Sequence, residues 1–252
     1  MKLQLNKNKR IGRVVFFVEG DVDEPNLLRS IFCDVLDYHL VVRDKRNKAI
    51  SEYGKSDDAF SKVFVVPMPF PAIKKLPGDQ DFMDEIHRAL SAYGLAGFEA
   101  TTFYLFDRDY RSNAPADVEK KINLLKNPLE NGTEMPGALL LSYPCLQAYY
   151  CEACGDDACF GESQDAKKYV NINNLKVLSE DLIIAAASSM LSKVRMIRQV
   201  EFNMKDLDDY SSITRPVFAF EEERHRREDH KFLTLSLLSL ALLDLGILEI
   251  KE

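Results

Sequence analysis

The chain has 252 residues, 46% of them apolar, and its 40 acidic against 33 basic side chains give a formal net charge of −7. Apolar content on that scale builds a full core and excludes a disordered chain, while the negative balance excludes a general nucleic-acid coat, which needs a dominant basic surface. The five cysteines are an odd number, and no basic n-region with a small-residue cleavage site stands at the start, so the expected compartment is a reducing, cytoplasmic one.

In chain order, the first feature is a basic opening, with Lys2, Lys7, Lys9, Arg10 and Arg13 and no acid among them. It reads as solvated surface, as does the "RDKRNK" run from Arg43 to Lys48. "VVFFV", Val14 to Val18, is β-branched and aromatic without polar alternation, the pattern of a strand buried on both faces. Pro25 then opens "PNLLRSIFCDVL", a helical spacing with proline in a first turn, where its missing N–H costs nothing. The segment from Asp37 to Lys62 is polar, and its strand content is not decided by pattern. "KVFVVPM" reads as a second strand and "DQDFMDEIHRALSAYGL", Asp79 to Leu95, as an amphipathic helix. "TTFYLFDRD" is a third strand, "PADVEKKINLLK" a further helix and "GALLLSYP" a fourth strand. Such alternation predicts an α/β fold with parallel strands and helical crossovers.

Beyond Pro144 the strand signals fade. Ser179 to Gln199 reads as a helix capped by Ser179, and Glu221 to Leu245 reads as helical too. "FLTLSLLSLALLDLGILEI", Phe232 to Ile250, is apolar enough to raise a membrane question, but Asp244, Glu249 and hydroxyl residues interrupt it. The expectation is a buried core or interface helix, no membrane, and a homo-oligomer through such an interface.

The chemistry gathers where strands end. Functional groups of an open parallel sheet sit beyond the carboxyl ends of its strands. Glu19 ends the first strand, and Asp107 and Asp109 end the third, so the three carboxylates converge if those strands are neighbours. Two carboxylates about 4 Å apart repel by about 4 kcal/mol at an effective dielectric near 20. A cluster of this kind calls for a hard cation, Mg²⁺ or Mn²⁺. The competing reading makes these acids turn and helix-start residues, which suits Asp21 and Asp23.

Other constellations are weaker. Cys145, Cys151, Cys154 and Cys159 include one C-x-x-C pair, but the gaps around it are atypical of zinc, and ordinary cysteines are the simpler expectation. His39, His87, His225 and His230 show no H-E-x-x-H spacing, and no P-loop occurs. "EEERHRREDH" reads as a charged helix surface, with Arg224, Arg226 and Arg227 as the alternative phosphate contacts. Arg108 and Arg111, beside the acids, are the stronger candidates for holding a substrate phosphate, because guanidinium matches it in bidentate fashion.

These motifs carry a family resemblance. "FFVEGDVDEPNLL" resembles the first signature of toprim domains and "YLFDRDY" resembles their Asp-x-Asp signature. "EGDVDEPN" is similar to the RloB-like branch, related to the overcoming-lysogenization-defect (OLD) nucleases of bacterial anti-phage systems. The resemblance implies a toprim-like (Rossmann-like) parallel sheet flanked by helices over residues 1–150, with a mostly helical C-terminal region over 151–252. It implies Glu19 as general acid or base that also touches metal, Asp107 and Asp109 as principal metal ligands, and Glu24 as part of a second metal position. Gly20 would let the backbone turn sharply beside them. The implied activity is Mg²⁺- or Mn²⁺-dependent cleavage of DNA or RNA by an endonuclease, in which two metals stabilise the attacking and leaving oxygens. A separate ATPase partner is implied in the same way. The chain departs from the branch at "SYPCLQ", where Tyr143 replaces Asn and Gln147 replaces Glu. That departure leaves a catalytically silent interaction module, docking or oligomerising through its C-terminal helices, as the alternative.

Overall fold

The unbroken apolar run from Val14 to Val18 needs cover on both faces, and it receives it as the middle strand of a sheet. In the computed structural model, residues 2–43, 50–68, 100–129, 137–227 and 230–251 are described, with single positions 73, 84, 88 and 91. Strand β2 (Arg13–Val18) lies between β5 (Lys62–Pro67) and β6 (Thr101–Asp107) and runs parallel to both. β7 (Ala138–Tyr143) continues the parallel set beside β6. Phe16 stacks on Phe103 with centroids 5.3 Å apart and Phe17 on Tyr104 at 5.0 Å. Successive side chains point to opposite faces, so these two pairs seal the two sides of the β2–β6 seam.

All four strands expected from the sequence are present, but the sheet is mixed. The polar segment that pattern left undecided forms a hairpin, β3 (His39–Arg43) and β4 (Ser51–Gly54), antiparallel to each other and to β5. At the opposite edge β10 (Leu235–Ser236) pairs antiparallel with β7, giving the order β10-β7-β6-β2-β5-β4-β3. The added strands cover edges that the parallel core would leave with unpaired N–H and C=O groups. Two further ribbons stand apart from this sheet: β1 (Lys2–Leu5) with β11 (Leu248–Lys251), and β8 (Cys159–Phe160) with β9 (Phe232–Leu233).

Phe232 to Ile250 is therefore not the single helix expected. It holds β9, β10, one short helix and β11, with Gly246 at φ +65° after the helix. A segment apolar on all sides has no face to betray its period, so strand and helix look alike in it. Through β10 and β11 the last residues of the chain share sheets with strands that precede residue 150. Among the described residues no helix is long and apolar enough to cross a membrane.

The helices are α1 (Asp23–Arg29), which runs on into a π-helical segment Ser30–Val35, α2 (Pro115–Leu124), α3 (Ala148–Ala153), α4 (Ser163–Ile172), α5 (Glu180–Arg198), α6 (Ser211–Arg227) and α7 (Leu238–Asp244). Pro115 starts α2 and Ser179 caps α5 by accepting the Leu182 N–H at 3.3 Å, both as expected. The helix expected over Asp79–Leu95 lies outside the described residues except at 84, 88 and 91, which are helical; positions 44–48 of the basic run lie outside them too.

Two buried polar pairs tie the C-terminal elements to the sheet. On α5, Lys193 donates to the Thr234 carbonyl at 2.8 Å and lies 3.6 Å from Glu152 of α3, whose other oxygen accepts the Ser236 N–H at 3.0 Å. Directly after β6, Arg108 is wholly buried, donating to Glu222 of α6 at 2.6 Å and to the Asn113 carbonyl at 2.8 Å. Removing one partner of such a pair strands a charge. We expect Glu222→Leu to cost about 3–5 kcal/mol, and Arg108→Met added to it to recover most of that loss. Urea unfolding of the single and double variants measures both.

Candidate functional site

The chain leaves β2 toward β5 on one side and leaves β6 toward β7 on the other, so the two departing loops diverge and open a crevice at the carboxyl ends. The parallel register that sets Val18 against Leu105 brings Glu19 to the end of β6. There Glu19 Oε2 accepts the backbone N–H of Asp107 at 2.8 Å. Asp107 in turn uses Oδ1 to accept the Leu146 N–H at 2.7 Å, holding the turn that follows β7. Two carboxylates more than eighty positions apart are thus locked to one rim, each by one oxygen.

Glu24 completes the wall, buried in the first turn of α1. A Cβ on Gly20 would stand 2.6 Å from Glu24 Oε2. Gly20 is not at a left-handed φ, so the glycine expected to permit a sharp turn instead makes room for a carboxylate.

The electrostatics follow from burial and crowding. Burial first, then repulsion from Glu24 and Asp109, push the Glu19 carboxyl up to about 7 against the opposing pull of the Asp107 N–H and Lys167. Asp107 is held well above the carboxylate range by burial, then by Glu19 and Glu24. Glu24 is raised as well, again chiefly by burial. Lys167 of α4 faces this group. Burial lowers its pKa, but Asp107, Asp23 and other neighbours push it up further, so it stays charged.

Other expected site residues take different places. Asp109 accepts the Ser112 hydroxyl at 2.6 Å with one oxygen and the Arg111 N–H at 3.3 Å with the other. Its carboxylate braces its own turn while its charge acts on Glu19. Arg108 is not the surface cation expected, because a side chain with no exposure that is bound to Glu222 and Asn113 has no reach to a phosphate. Arg111 is exposed and ion-paired with Glu162. Gln147 is buried; its Nε2 donates to Asp23 at 3.1 Å and its Oε1 has no partner. Asp23 also lies 3.5 Å from both Lys167 and Lys176, so it joins α1 to α3 and to the α4 region rather than merely starting a helix.

The cysteines are dispersed between core and surface: Cys145 and Cys151 are buried, Cys154 is exposed, and Cys159 accepts from Arg224 at 3.6 Å. The charge run of α6 is two-sided, with Glu221 and His225 buried and Arg226 and Arg227 paired outward with Glu223. Lys167 and the Leu146 N–H had no signal in the sequence, since neither type nor spacing marks a lysine or a peptide group that meets its partners only through folding.

Among the described residues no three His, Cys, Asp or Glu side chains stand together as a ready-made metal cage. Magnesium does not need one, because it keeps several waters and takes one or two carboxylates plus substrate phosphate. Glu19 and Asp107 fit that requirement: each spends one oxygen on a backbone N–H and keeps the other, with Glu24 adjacent. No family model, curated protein or solved structure matches the chain.

The raised pKa of Glu19 makes a test. Folded Glu19 holds its proton more tightly than unfolded Glu19, so its contribution to stability is present below about pH 4.5 and is lost as pH rises to about 7. Without divalent ions, the fall in unfolding free energy between pH 5 and 8 should be shallower in Glu19→Gln, by up to about 3 kcal/mol. Urea titrations at stepped pH give that slope.

Proposed function

We propose that the chain is a divalent-metal-dependent nuclease of toprim type that cleaves DNA or RNA phosphodiesters in bacterial anti-phage defence. The observation that carries this reading is the meeting of half-buried Glu19 and buried Asp107 at the sheet's switch point, mutually repelling and each with an oxygen to spare. Asp107, with Glu24 and Glu19 beside it, would hold Mg²⁺ or Mn²⁺. The bound ion supplies Lewis-acid polarisation of the scissile phosphate.

The remaining work falls to the chain's own residues. Glu19, with its pKa near the operating pH, can take the proton of an attacking water and return it to the leaving oxygen. The Asp107 N–H orients the carboxylate that does so. Lys167 offsets charge as the anionic backbone approaches the acids, and Arg111, exposed on the loop after β6, offers a phosphate contact. A separate ATPase that triggers cutting and self-association of the chain belong to the same proposal, on the resemblance alone.

A second reading is favoured by Lys167 itself. An ammonium already facing the acids can neutralise them without metal, in a silent module whose acids organise α1 and α4 only. Incubation of the purified chain with nucleic acid separates the two. Under the nuclease reading cleavage requires Mg²⁺ or Mn²⁺ and falls about 10²–10⁴-fold in Glu19→Ala and Asp107→Ala, both still folded by circular dichroism. No cleavage with either metal, for substrates of either sugar and either strandedness, favours the module.

Gly20→Ala is a sharper probe. The Cβ meets only the end of a flexible side chain, so the fold should survive while Glu24 is displaced. Cleavage should fall at least about tenfold, with thermal stability changed by less than about 1 kcal/mol.

A further inference from the structure

A cavity of about 620 Å³ opens beside the β6 loop, bounded by Asp109 and Arg111, by the start of α4 and by His225, His230 and Lys231. It is large enough for a nucleotide-sized group. Two features of its lining point to an anion.

The first is backbone. α4 runs from Ser163 to Ile172, and its N-cap, Glu162, makes no side-chain cap. Ala166 N–H bonds back to Glu162, but the N–H groups of Ser163, Gln164 and Asp165 take no protein partner. They carry the positive end of the helix dipole at the cavity wall, the arrangement that receives phosphate oxygens. The second is side-chain polarity left over. His225 is only 6% exposed, yet its Nδ1 has no partner, and the buried Ser163 hydroxyl also has none. His225 cannot rotate away to find one, being stacked between Tyr110 at 4.1 Å and Phe232 at 4.5 Å. An unpaired buried polar atom is destabilising unless something outside the chain meets it.

The charges of the lining are mixed, with Asp109, Glu162 and Asp165 beside Arg111 and Lys231. The lining acids Glu162 and Asp109 are engaged, by Arg111 and by the Ser112 hydroxyl respectively. The shared β6 loop links this cavity to the acidic rim, since Asp109 lines the one and its charge acts on Glu19 in the other.

We propose that the start of α4 is a second phosphate site, which holds a nucleic-acid phosphate next to the one cut, with Lys231 and with Arg111, drawn from Glu162 to the phosphate, as its cations. The identity of the phosphate's source rests on the nuclease reading; the anion site does not. Calorimetric titration of the full chain in EDTA, where no bond is cut, tests it with two probes, inorganic phosphate and a 5′-phosphorylated tetranucleotide. Both should bind and compete, the oligonucleotide at least about tenfold tighter. Arg111→Ala with Lys231→Ala should weaken both by about tenfold or more, since charged hydrogen bonds are lost. Ser163→Pro should weaken both by a smaller factor, because proline is tolerated at a first helical position and removes only one N–H and the hydroxyl. Circular dichroism verifies folding, and Ser163→Ala replaces the proline variant should that one unfold.

Failure of either probe to bind, or affinities indifferent to Arg111 and Lys231, overturns the site. Equal affinity for the two probes overturns its assignment to nucleic acid. Binding with this pattern in a chain that cuts nothing would sink the nuclease reading alone, and cutting by a chain that ignores both probes would sink this site alone.

Discussion

One hydrogen bond organises the rim: the Asp107 N–H donated to Glu19 across the parallel seam of β2 and β6. It draws a carboxylate to the end of a strand buried on both faces, where it is half-buried and only partly screened by water. From that placement come the raised pKa values of Glu19 and Asp107 and the need for positive charge nearby. A buried acid pair of this kind persists only if the surrounding structure holds it there.

The surrounding structure does so by enlisting segments far away in the chain. Leu146, after β7, donates to Asp107, and Gln147 one residue on donates to Asp23. Lys167 and Lys176 reach Asp23 from the other side, and Lys167 offsets the charge of Asp107. On the opposite flank Arg108 reaches inward to Glu222, which fixes α6 to the same loop that carries Asp109. The rim is thus braced from both sides of the crevice by charged side chains, while the apolar seam beneath it is braced by stacked rings. Such division suits a site whose acids must hold position against their own repulsion.

Acids and bases near the rim have exchanged the roles that their spacing suggests. Asp109 looks like the twin of Asp107 but serves its turn, because a loop that leaves β6 at once must satisfy its own N–H groups. Arg108 looks like a surface cation but is core. Lys167, one of two adjacent lysines in an ordinary helix, is the cation that the acids meet. Gly20 is needed for the space above it, not for its backbone angle. The two-sided α6 likewise hides Glu221 and His225 beneath a run of outward charge.

What could be read from the sequence was local. Val14–Val18, Lys62–Met68, Thr101–Asp107 and Gly137–Tyr143 declared their strands because apolar β-branched runs have few other uses, and Ser179 and Pro115 declared helix starts through backbone groups one turn away. The position of Glu19 and Asp107 at strand ends was legible for the same reason. The division of Phe232–Ile250 into strands and helix was not, because an all-apolar segment has no period to read. Strand order was decided only by tertiary packing, and with it the meeting of Glu19, Asp107 and Lys167. Hydrogen-bond partners and burial are properties of neighbours in space, and a residue's type and spacing record neither which strand lies beside it nor how much water is left.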